Sequence, residues 1–375
     1  MNVLHICPDY FGTKVYRRLF AALAPREVSQ KIYVPRNHPP RNAVPGVVVA
    51  ERSFNVLERF LYFGKQKWLF QDLMEKRLAE DVDVVHAHKL FTGGYLALQL
   101  KRTMRIPYVV AVRNTDVNDF FRRMPHLRKV GRTILAQAER VLFISHAYRK
   151  QVLDCWCGPG LRGEVEAKSL VVPNGADVCF LRDRFSGSRP CNGELRILHV
   201  GSVEPNKNLD LTASACRILQ SQGIVVRYVV IGPVKDRRYA DKVLNCPFAE
   251  YLGTCTPEDV KKHMRHAHVF VMPSKTETFG LVYVEALSQG LPVIYTKGQG
   301  FDGWMEEGMA GWGTSSRDPE ELARKILDIW RNYPDFARNA AAIDLSPFDW
   351  DNIAAQYCGV YSTAIPHNLS MPQNR

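Results

Sequence analysis

The stretch that decides the fold runs Pro273-Ser-Lys-Thr-Glu-Thr-Phe-Gly-Leu-Val-Tyr-Val-Glu-Ala-Leu-Ser-Gln-Gly290. An apolar, β-branched run precedes it at 269–272, and a second one follows it at 293–295. A strand, a polar loop, a helix and another strand, in this order, form the repeating unit of a parallel α/β sheet. Glu277 falls in the loop and Glu285 in the helix. The stretch therefore predicts a parallel sheet with two carboxylates near the end of one strand.

The start of this helix predicts a site for an anion. The backbone N–H groups around Gly280 and Leu281 begin the helix, where a negative group is favoured. A second loop, His199-Val-Gly-Ser-Val-Glu-Pro-Asn-Lys-Asn-Leu209, also follows a predicted strand. In it, Gly201 lets the backbone approach a ligand and Lys207 supplies positive charge. Each of these residues alone is equally typical of a solvated surface, but the two loops together predict a phosphate-bearing ligand.

The same alternation of short apolar runs and helical patterns extends over the whole chain. A length of 375 residues predicts two domains. We expect an N-terminal Rossmann-like domain at 1–181, a linker rich in turn-forming residues at 182–194, and a second Rossmann-like domain at 195–346. Residues 347–375 are expected to form a helix that crosses back to the first domain, followed by a tail. The predicted fold class is α/β, with two doubly wound domains facing each other across a cleft.

The net charge of +12 lies entirely in the first half of the chain, where 28 Lys and Arg oppose 16 Asp and Glu in residues 1–180. Such an excess predicts a negatively charged partner. Nucleic acid is not expected, because no binding module is recognisable. The basic and aromatic segments Arg52–Arg77 and Phe120–Lys129 are typical of contact with an anionic membrane. The alternative, which we favour, is that their aromatic residues are core and their basic residues solvated.

Other features of the sequence indicate a cytoplasmic protein. The N-terminus lacks a basic segment before its apolar run and reads as a first strand. Nine cysteines without a Cys-x-x-Cys pair are typical of reduced thiols. Peripheral contact with the inner face of a membrane stays open. His86 and His88 end a predicted strand, but no further ligands are placed beside them, so no metal site is predicted.

The pattern Ser-x-x-Glu-x-Phe-Gly-Leu-x-x-x-Glu-Ala, which begins at Ser274, resembles the signature of the retaining glycosyltransferases of family 4. Those enzymes have two Rossmann-like domains, the GT-B fold. The resemblance extends over nearly the whole chain, through Gly201…Lys207, 173–177, 83–88, 112–116 and Trp350…Tyr361.

The resemblance implies roles for individual residues. Lys207 would bind the donor diphosphate, Glu285 the ribose hydroxyls and Glu277 the transferred sugar. The backbone of Gly201 and of Phe279, Gly280 and Leu281 would hold phosphate oxygens. The donor would be a nucleotide diphosphate sugar, UDP- or GDP-linked, and neither a cofactor nor a metal is expected. The implied catalytic residues are Glu277, Lys207 and Arg113, and the implied first-domain residues at the cleft are Gly12, His88 and Asp116.

The sequence departs from the family pattern in two places that matter. Ser202 stands where an arginine is usual, and Arg237 or Arg238 is the candidate to replace its charge. Arg113 stands where a histidine that lines the donor sugar is frequent. An arginine there could instead bind a phosphate or a carboxylate on the donor or on the acceptor.

The sequence therefore predicts a retaining glycosyltransferase that moves a hexose from a nucleotide sugar to a glycan or lipid-linked acceptor, in polysaccharide or glycoconjugate biosynthesis. Two alternatives stay open. One is a nucleotide-sugar epimerase or a glycan phosphorylase on the same fold. The other is a non-catalytic subunit that binds a partner enzyme.

Overall fold

The computed structural model describes residues 1–35, 44, 46–50, 62–187, 189 and 193–366. The beginning of the basic and aromatic segment Arg52–Arg77, part of the predicted linker and the C-terminal tail lie outside these residues. The chain packs as two units. Unit 1 comprises 1–144, 148–174 and the segment from Trp350 onward, and unit 2 comprises 145–147 and 175–349.

Unit 1 contains a sheet of seven strands, all parallel. The strands are β1 (Asn2–Ile6), β2 (Ser29–Val34), β3 (Val47–Val49), β4 (Val84–Ala87), β5 (Tyr108–Val112), β6 (Arg140–Phe143) and β7 (Ser169–Val171). Their order in the sheet is β3-β2-β1-β4-β5-β6-β7. The order therefore reverses direction between β1 and β4, and the carboxyl ends of the strands at such a reversal are where α/β sheets bind ligands.

Unit 2 repeats this topology with six parallel strands. The strands are β8 (Glu194–Val200), β9 (Val225–Ile231), β10 (Ala249–Tyr251), β11 (Val269–Val271), β12 (Val293–Thr296) and β13 (Gly311–Thr314). Their order is β10-β9-β8-β11-β12-β13, so the reversal lies between β8 and β11. Both loops singled out in the sequence follow these two strands.

Helices cover the sheets. They are α1 (Lys14–Leu23), α2 (Tyr62–Glu75), α3 (Gly94–Met104), α4 (Arg128–Gln137), α5 (His146–Val152), α6 (Pro159–Ala167), α7 (Val178–Arg182), α8 (Leu209–Ser221), α9 (Arg237–Leu244), α10 (Pro257–His266), α11 (Leu281–Ser288), α12 (Pro319–Arg331), α13 (Tyr333–Ala342) and α14 (Trp350–Ala364). The helix expected to cross back, α14, lies in unit 1 and packs against α1. Within the described ranges, no helix combines the length and the apolar composition that crossing a bilayer requires.

The division between the units differs from the predicted linker at 182–194. Unit 2 begins at Gly175, and the described part of that segment packs on unit 2. The backbone N–H of Phe185 donates to the carbonyl of Ser288 at 3.0 Å. Arg189 is only 7% exposed, and its Nη1 donates to the carbonyl of Gly290 at 2.9 Å. A cation that satisfies carbonyls at the end of a helix fixes the segment in place, which explains why it is not a free linker.

Candidate functional site

Two loops of unit 2 meet at the reversal of strand order. One leaves β8 and leads to α8, and the other leaves β11 and leads to α11. Lys207 on the first loop and Glu277 on the second form an ion pair, with 2.6 Å between Nζ and Oε2. Their side chains are 18% and 13% exposed, so the pair is accessible at its edge. Two residues that lie 70 positions apart in the sequence are thus brought together as predicted.

Asn206 ties the two loops to each other. Its Oδ1 accepts from the backbone N–H of Thr276 at 3.1 Å and from the Thr276 hydroxyl at 2.8 Å. Its Nδ2 donates to the carbonyl of Thr276 at 2.9 Å, and its own carbonyl accepts from the N–H of Lys275 at 2.8 Å. Asn206 is not among the residues predicted from the sequence. A polar side chain between Pro205 and Lys207, in a loop already chosen as a ligand site, was the available signal.

The loop that contains Gly201 is packed closely against the end of β9. Gly232 has φ of +141°, and a Cβ there would lie 2.0 Å from the carbonyl oxygen of Gly201. Only glycine fits this approach. His199, one residue before the end of β8, is fully buried beneath Gly201. Burial first, and then the positive charge of Lys207, lower the pKa of His199 to about 3, so the imidazole is neutral.

The start of α11 presents backbone donors. Gly280 precedes the helix in the left-handed region, with φ of +82°, and a Cβ would lie 2.4 Å from the ring of Tyr283. The ring of Phe279 is buried against Phe301 and Trp304, which fixes the backbone beside it. In the described part of the chain, the N–H groups of Phe279, Gly280 and Leu281 have no recorded acceptor. They are therefore available to an anion.

The two glutamates occupy different positions around this helix start. The Glu277 carboxylate, besides the ion pair, accepts from its neighbour's N–H, that of Thr278, at 3.1 Å. Glu285 is half-buried in α11, one turn after Leu281. Residues one turn apart share a face of a helix, so Glu285 lies on the face that begins at Leu281.

The structure places a lysine, Lys235, near Ser202, in addition to the expected candidates Arg237 and Arg238. Arg237 is 85% exposed and pairs with Asp241 on its own helix at 3.3 Å. Lys235 lies 3.7 Å from Glu204, and the Glu204 carboxylate also accepts a hydrogen bond from the hydroxyl of Ser202. Pairing of the segment at 234 with the loop at 203 brings Lys235 to this position. Such long-range pairing has no local sequence signal.

In unit 1, the residues predicted to line the site lie at the equivalent place, the carboxyl ends of β1, β4 and β5. The turn after β1 closes with a hydrogen bond from the N–H of Gly12 to the carbonyl of Asp9 at 2.9 Å, and Gly12 is exposed. Asp9 also pairs with Lys89 at 2.6 Å. Arg113 directly follows β5 and is 6% exposed.

His88 and Asp116 lie beneath this surface rather than on it, since both are 0% exposed. The Asp116 carboxylate accepts from the backbone N–H groups of Leu90, Phe91 and Arg113 at 3.1, 3.2 and 2.9 Å. Burial raises the pKa of Asp116, and these hydrogen bonds oppose the shift. The carboxylate therefore ties the loops after β4 and β5 together, which differs from the predicted place at the cleft.

Three histidines form a buried cluster in unit 1. His5 on β1 lies opposite His86 on β4, and His88 is two residues further on. One nitrogen from each lies within 4.8 Å of the others, a spacing at which a metal ion could be considered. Nδ1 of His5 and Nε2 of His88 share a hydrogen bond at 3.1 Å, and the rings of His86 and His88 are tilted by 32° to each other with centroids 3.8 Å apart. The three imidazoles are packed against one another, and among the described residues Nε2 of His5, Nε2 of His86 and Nδ1 of His88 have no hydrogen-bond partner.

Burial keeps these imidazoles neutral. It lowers the pKa of His5 to about 3. For His86 and His88 burial is again the main cause of a lowered pKa, followed by the neighbouring histidines and Arg113. The hydroxyl of Tyr361 on α14 lies 2.7 Å from Nδ1 of His86. His5 is not among the residues predicted from the sequence, although a polar residue within the apolar strand β1 was a usable signal.

Several residues of the basic and aromatic segments pack against the core. Phe120 stacks on Phe91 with centroids 4.6 Å apart, and buried Phe121 stacks on Trp156. Arg128 also lies over the ring of Trp156, at 4.8 Å from its centroid. By contrast, Phe63 on α2 is 54% exposed. Phe54 and Phe60 lie outside the described residues.

Two family models match the chain, one in each half. Residues 12–175 match the model described as a glycosyl transferase 4-like domain, and residues 183–342 match that of glycosyl transferases group 1. The chain is a glycosyltransferase of the GT-B type. This glycosyltransferase is 25% identical to alpha-monoglucosyldiacylglycerol synthase from Acholeplasma laidlawii over 323 residues, which are 79% of this chain and 77% of that protein.

Solved structures confirm the predicted fold class. Sucrose-phosphate synthase from Thermosynechococcus elongatus matches with a TM-score of 0.74 at 16% identity, over 96% of this chain and 98% of that one. HepE from Anabaena, in complex with UDP-glucose, matches with a TM-score of 0.67 at 17% identity, over 97% and 100% of the two chains. At these identities the likeness shows the fold of the glycosyltransferase and not its substrates.

Proposed function

We propose that this glycosyltransferase is a retaining, metal-independent enzyme that moves a hexose from a UDP- or GDP-linked sugar to a glycan or lipid-linked acceptor. The observation that carries the proposal is the Lys207–Glu277 pair beside the N–H groups of Gly280 and Leu281, for which the described residues provide no acceptor. Cation and helix N-terminus together suit a diphosphate. The complexes of related folds with UDP and UDP-glucose support a nucleotide sugar as the donor.

In this proposal the donor lies along the start of α11. The diphosphate oxygens accept from the N–H groups at Phe279–Leu281 and from Lys207, with the loop at Gly201 against the phosphates. Glu285 accepts hydrogen bonds from two adjacent ribose hydroxyls, a geometry that a carboxylate satisfies well. Glu277 contacts the hexose. Lys207 then exchanges one anionic partner, Glu277, for another, the diphosphate.

The reaction follows from this placement. The bond between the hexose C1 and the phosphate oxygen breaks, and the acceptor oxygen forms a new bond to C1 on the same face. The acceptor proton moves to an oxygen of the departing phosphate. The negative charge on the leaving group is stabilised by Lys207 and by the helix N–H groups, which supply fixed charge and dipoles where charge develops. No enzyme nucleophile is required. Activity that persists in EDTA, and a product with the donor's anomeric configuration by NMR, are the expected results.

Unit 1 is proposed to bind the acceptor, with Gly12 and Arg113 at the carboxyl edge of its sheet. A lipid-linked acceptor would bring the enzyme to the cytoplasmic face of an anionic membrane, where the exposed Arg122, Arg123 and Lys129 would contribute. Binding to anionic vesicles should then weaken as salt is raised. Binding that does not respond to salt would contradict this part of the proposal.

The direct test is the Glu285→Ala variant, measured for UDP-sugar binding by calorimetry and for transfer. Loss of hydrogen bonds to a charged acceptor should weaken binding by roughly 10- to 100-fold. Glu320→Ala, an exposed glutamate in the first turn of α12, is the matched control and should bind like the wild type. Unchanged binding in Glu285→Ala would refute the donor site. Hydrolysis or epimerisation of the donor without acceptor would instead support the epimerase or phosphorylase class, and binding without turnover a non-catalytic subunit.

A further inference from the structure

Arg113 is a buried cation whose recorded partners are all uncharged. Its Nε donates to the carbonyl of His88 and its Nη1 to the side-chain oxygen of Asn174, both at 3.4 Å. The guanidinium also lies 5.9 Å from the ring centroid of Tyr16 and hydrogen-bonds the hydroxyl of Tyr357. These contacts are long or neutral, so each contributes little electrostatic compensation.

The carboxylates of the surrounding loops are engaged elsewhere. The carboxylate of Asp116, three residues after Arg113, accepts hydrogen bonds from three backbone N–H groups. Asp9 neutralises Lys89 at 2.6 Å. The buried histidines are neutral and carry no negative charge. Among the described residues, no carboxylate lies within 4.0 Å of the Arg113 guanidinium, the distance that defines an ion pair.

A buried charge without a counter-ion is costly, and proteins keep one where a ligand supplies the opposite charge. Arg113 follows β5, the strand next to β4, where the strand order reverses. Ligands of such sheets bind at that edge. The guanidinium has more N–H groups than these hydrogen bonds use, so it can donate to a further acceptor. None of the Arg113 nitrogens is both inaccessible to solvent and without a hydrogen-bond partner. The side chain keeps 6% exposure, whereas His88 and Asp116 keep none.

We propose that Arg113 binds an anionic group, a carboxylate or a phosphate, on a sugar substrate of this enzyme. The planar fork of the guanidinium holds two oxygens of either group at once, and the neutral groups around it fix its orientation without cancelling its charge. The anion belongs to a uronic-acid donor or to an acidic or phosphorylated acceptor. This inference rests on the proposed transfer reaction and adds the class of its substrate.

The test measures kcat/KM for matched pairs of substrates. One arm compares UDP-glucuronic acid with UDP-glucose, and the other compares phosphorylated or uronic-acid acceptors with their neutral counterparts. In one arm the wild type should prefer the anionic member by roughly 10- to 100-fold. Arg113→Gln should abolish the preference ratio and Arg113→Lys should keep part of it, because lysine retains the charge but not the fork. The arm in which the ratio collapses identifies the source of the anion.

The exposed Arg102→Gln on α3 is the control and should keep the wild-type ratio. A merely structural role for Arg113 would lower all rates together and leave the ratio intact, which would overturn the inference. Equal rates for anionic and neutral substrates in the wild type would overturn it as well, while leaving the transfer reaction standing. No transfer with any substrate would refute the proposed function instead.

Discussion

Each unit places a cation at the carboxyl edge of its sheet, but the two cations follow different strands and have different surroundings. In unit 2, Lys207 is partly exposed and paired with Glu277 at 2.6 Å. In unit 1, Arg113 is 6% exposed and is held by a carbonyl, an amide and two tyrosines. The sheet order 3-2-1-4-5, counted within each unit, is common to both. Lys207 follows strand 1 of this order and Arg113 strand 5, so the two cations differ both in their place at the edge of the sheet and in the side chains around them.

The difference teaches how each cation can respond to an anionic ligand. A lysine on a flexible stem, already paired, can exchange its carboxylate for a phosphate at small net cost, which suits a diphosphate that must bind and leave. An arginine fixed among neutral groups gains a counter-ion only from a ligand, which suits selection of one substrate class. The experiments below separate these two behaviours, beginning with the largest expected effect.

Removing the paired cation should have the largest effect. Lys207→Ala takes away the charge that stabilises the leaving diphosphate, and transfer should fall by roughly 100- to 1,000-fold, the range seen when one stabilising donor is deleted. The control is Lys262→Ala, which breaks an exposed pair with Asp259 of 2.9 Å in the same unit and should be nearly silent. Steady-state kinetics with both variants checks the prediction. Transfer at the wild-type rate in Lys207→Ala would remove Lys207 from the mechanism.

Replacing Glu277, the partner of Lys207, should change UDP binding and hexose transfer in opposite directions. Glu277→Gln releases Lys207 from its competing carboxylate, so UDP should bind more tightly, by roughly tenfold for a partly buried charged contact. Transfer should nevertheless fall, because the hexose loses its contact. Calorimetry with UDP and the kcat of transfer provide the two readouts. Weaker UDP binding in Glu277→Gln would show that the pair orders the site instead of competing with the diphosphate.

The buried histidines predict that unit 1 loses stability on acidification. Burial holds the pKa of His5 at about 3, below the ordinary 6.5, so the unfolded chain binds more protons between these values. The stability is complete above pH 6.5 and falls as the pH drops below it, by up to about 1.4 kcal/mol per pH unit for each such histidine. Urea unfolding of His5→Phe between pH 7 and 5 should show a reduced slope. His126→Gln, at an exposed position, is the control, and an equal reduction there would contradict the assignment.

Removing the Asn206 side chain, which joins the two loops of unit 2 by hydrogen bonds, should have the smallest effect on transfer. Asn206→Ala removes three side-chain hydrogen bonds to Thr276, each contributing about 1 kcal/mol. The two loops should stay folded but lose their fixed positions relative to each other. The kcat should therefore fall by roughly tenfold, with little change in the unfolding temperature of unit 1. Asn206→Asp keeps the acceptor and should recover part of the activity. If Asn206→Asp is no more active than Asn206→Ala, the Asn206 side chain does not act by accepting hydrogen bonds from Thr276.

Much of the fold was predictable, because apolar runs and helix caps are local signals. The exceptions have physical reasons. Strand β13 contains Gly311 and Gly313, which have low strand propensity, and it exists through pairing with β12. Strand β10 has only three residues at an edge. Helix α6 begins at Gly158-Pro159-Gly160, which reads as a turn, although proline is well placed in a first helical turn.

The candidate site was predictable where its residues follow strands and lie in loops with glycine and a charge. Lys207, Glu277 and Gly280 were selected in this way, and the structure pairs Lys207 with Glu277, while their roles stay predictions. Asn206 and Lys235 were missed because their roles depend on contacts across the sheet, to Thr276 and Glu204. His88 and Asp116 were assigned to the right edge of the right sheet but at the wrong depth, since sequence position does not give burial.

The central claim is that the start of α11 binds the donor diphosphate, and amide hydrogen exchange tests it most directly. The N–H groups of Phe279, Gly280 and Leu281 have no recorded acceptor in the described chain, so they should exchange readily in the free enzyme. Saturating UDP should slow their exchange, together with that of the Gly201 loop, and should leave α10 unchanged. Protection absent from residues 279–281 in the presence of bound UDP would contradict the claim.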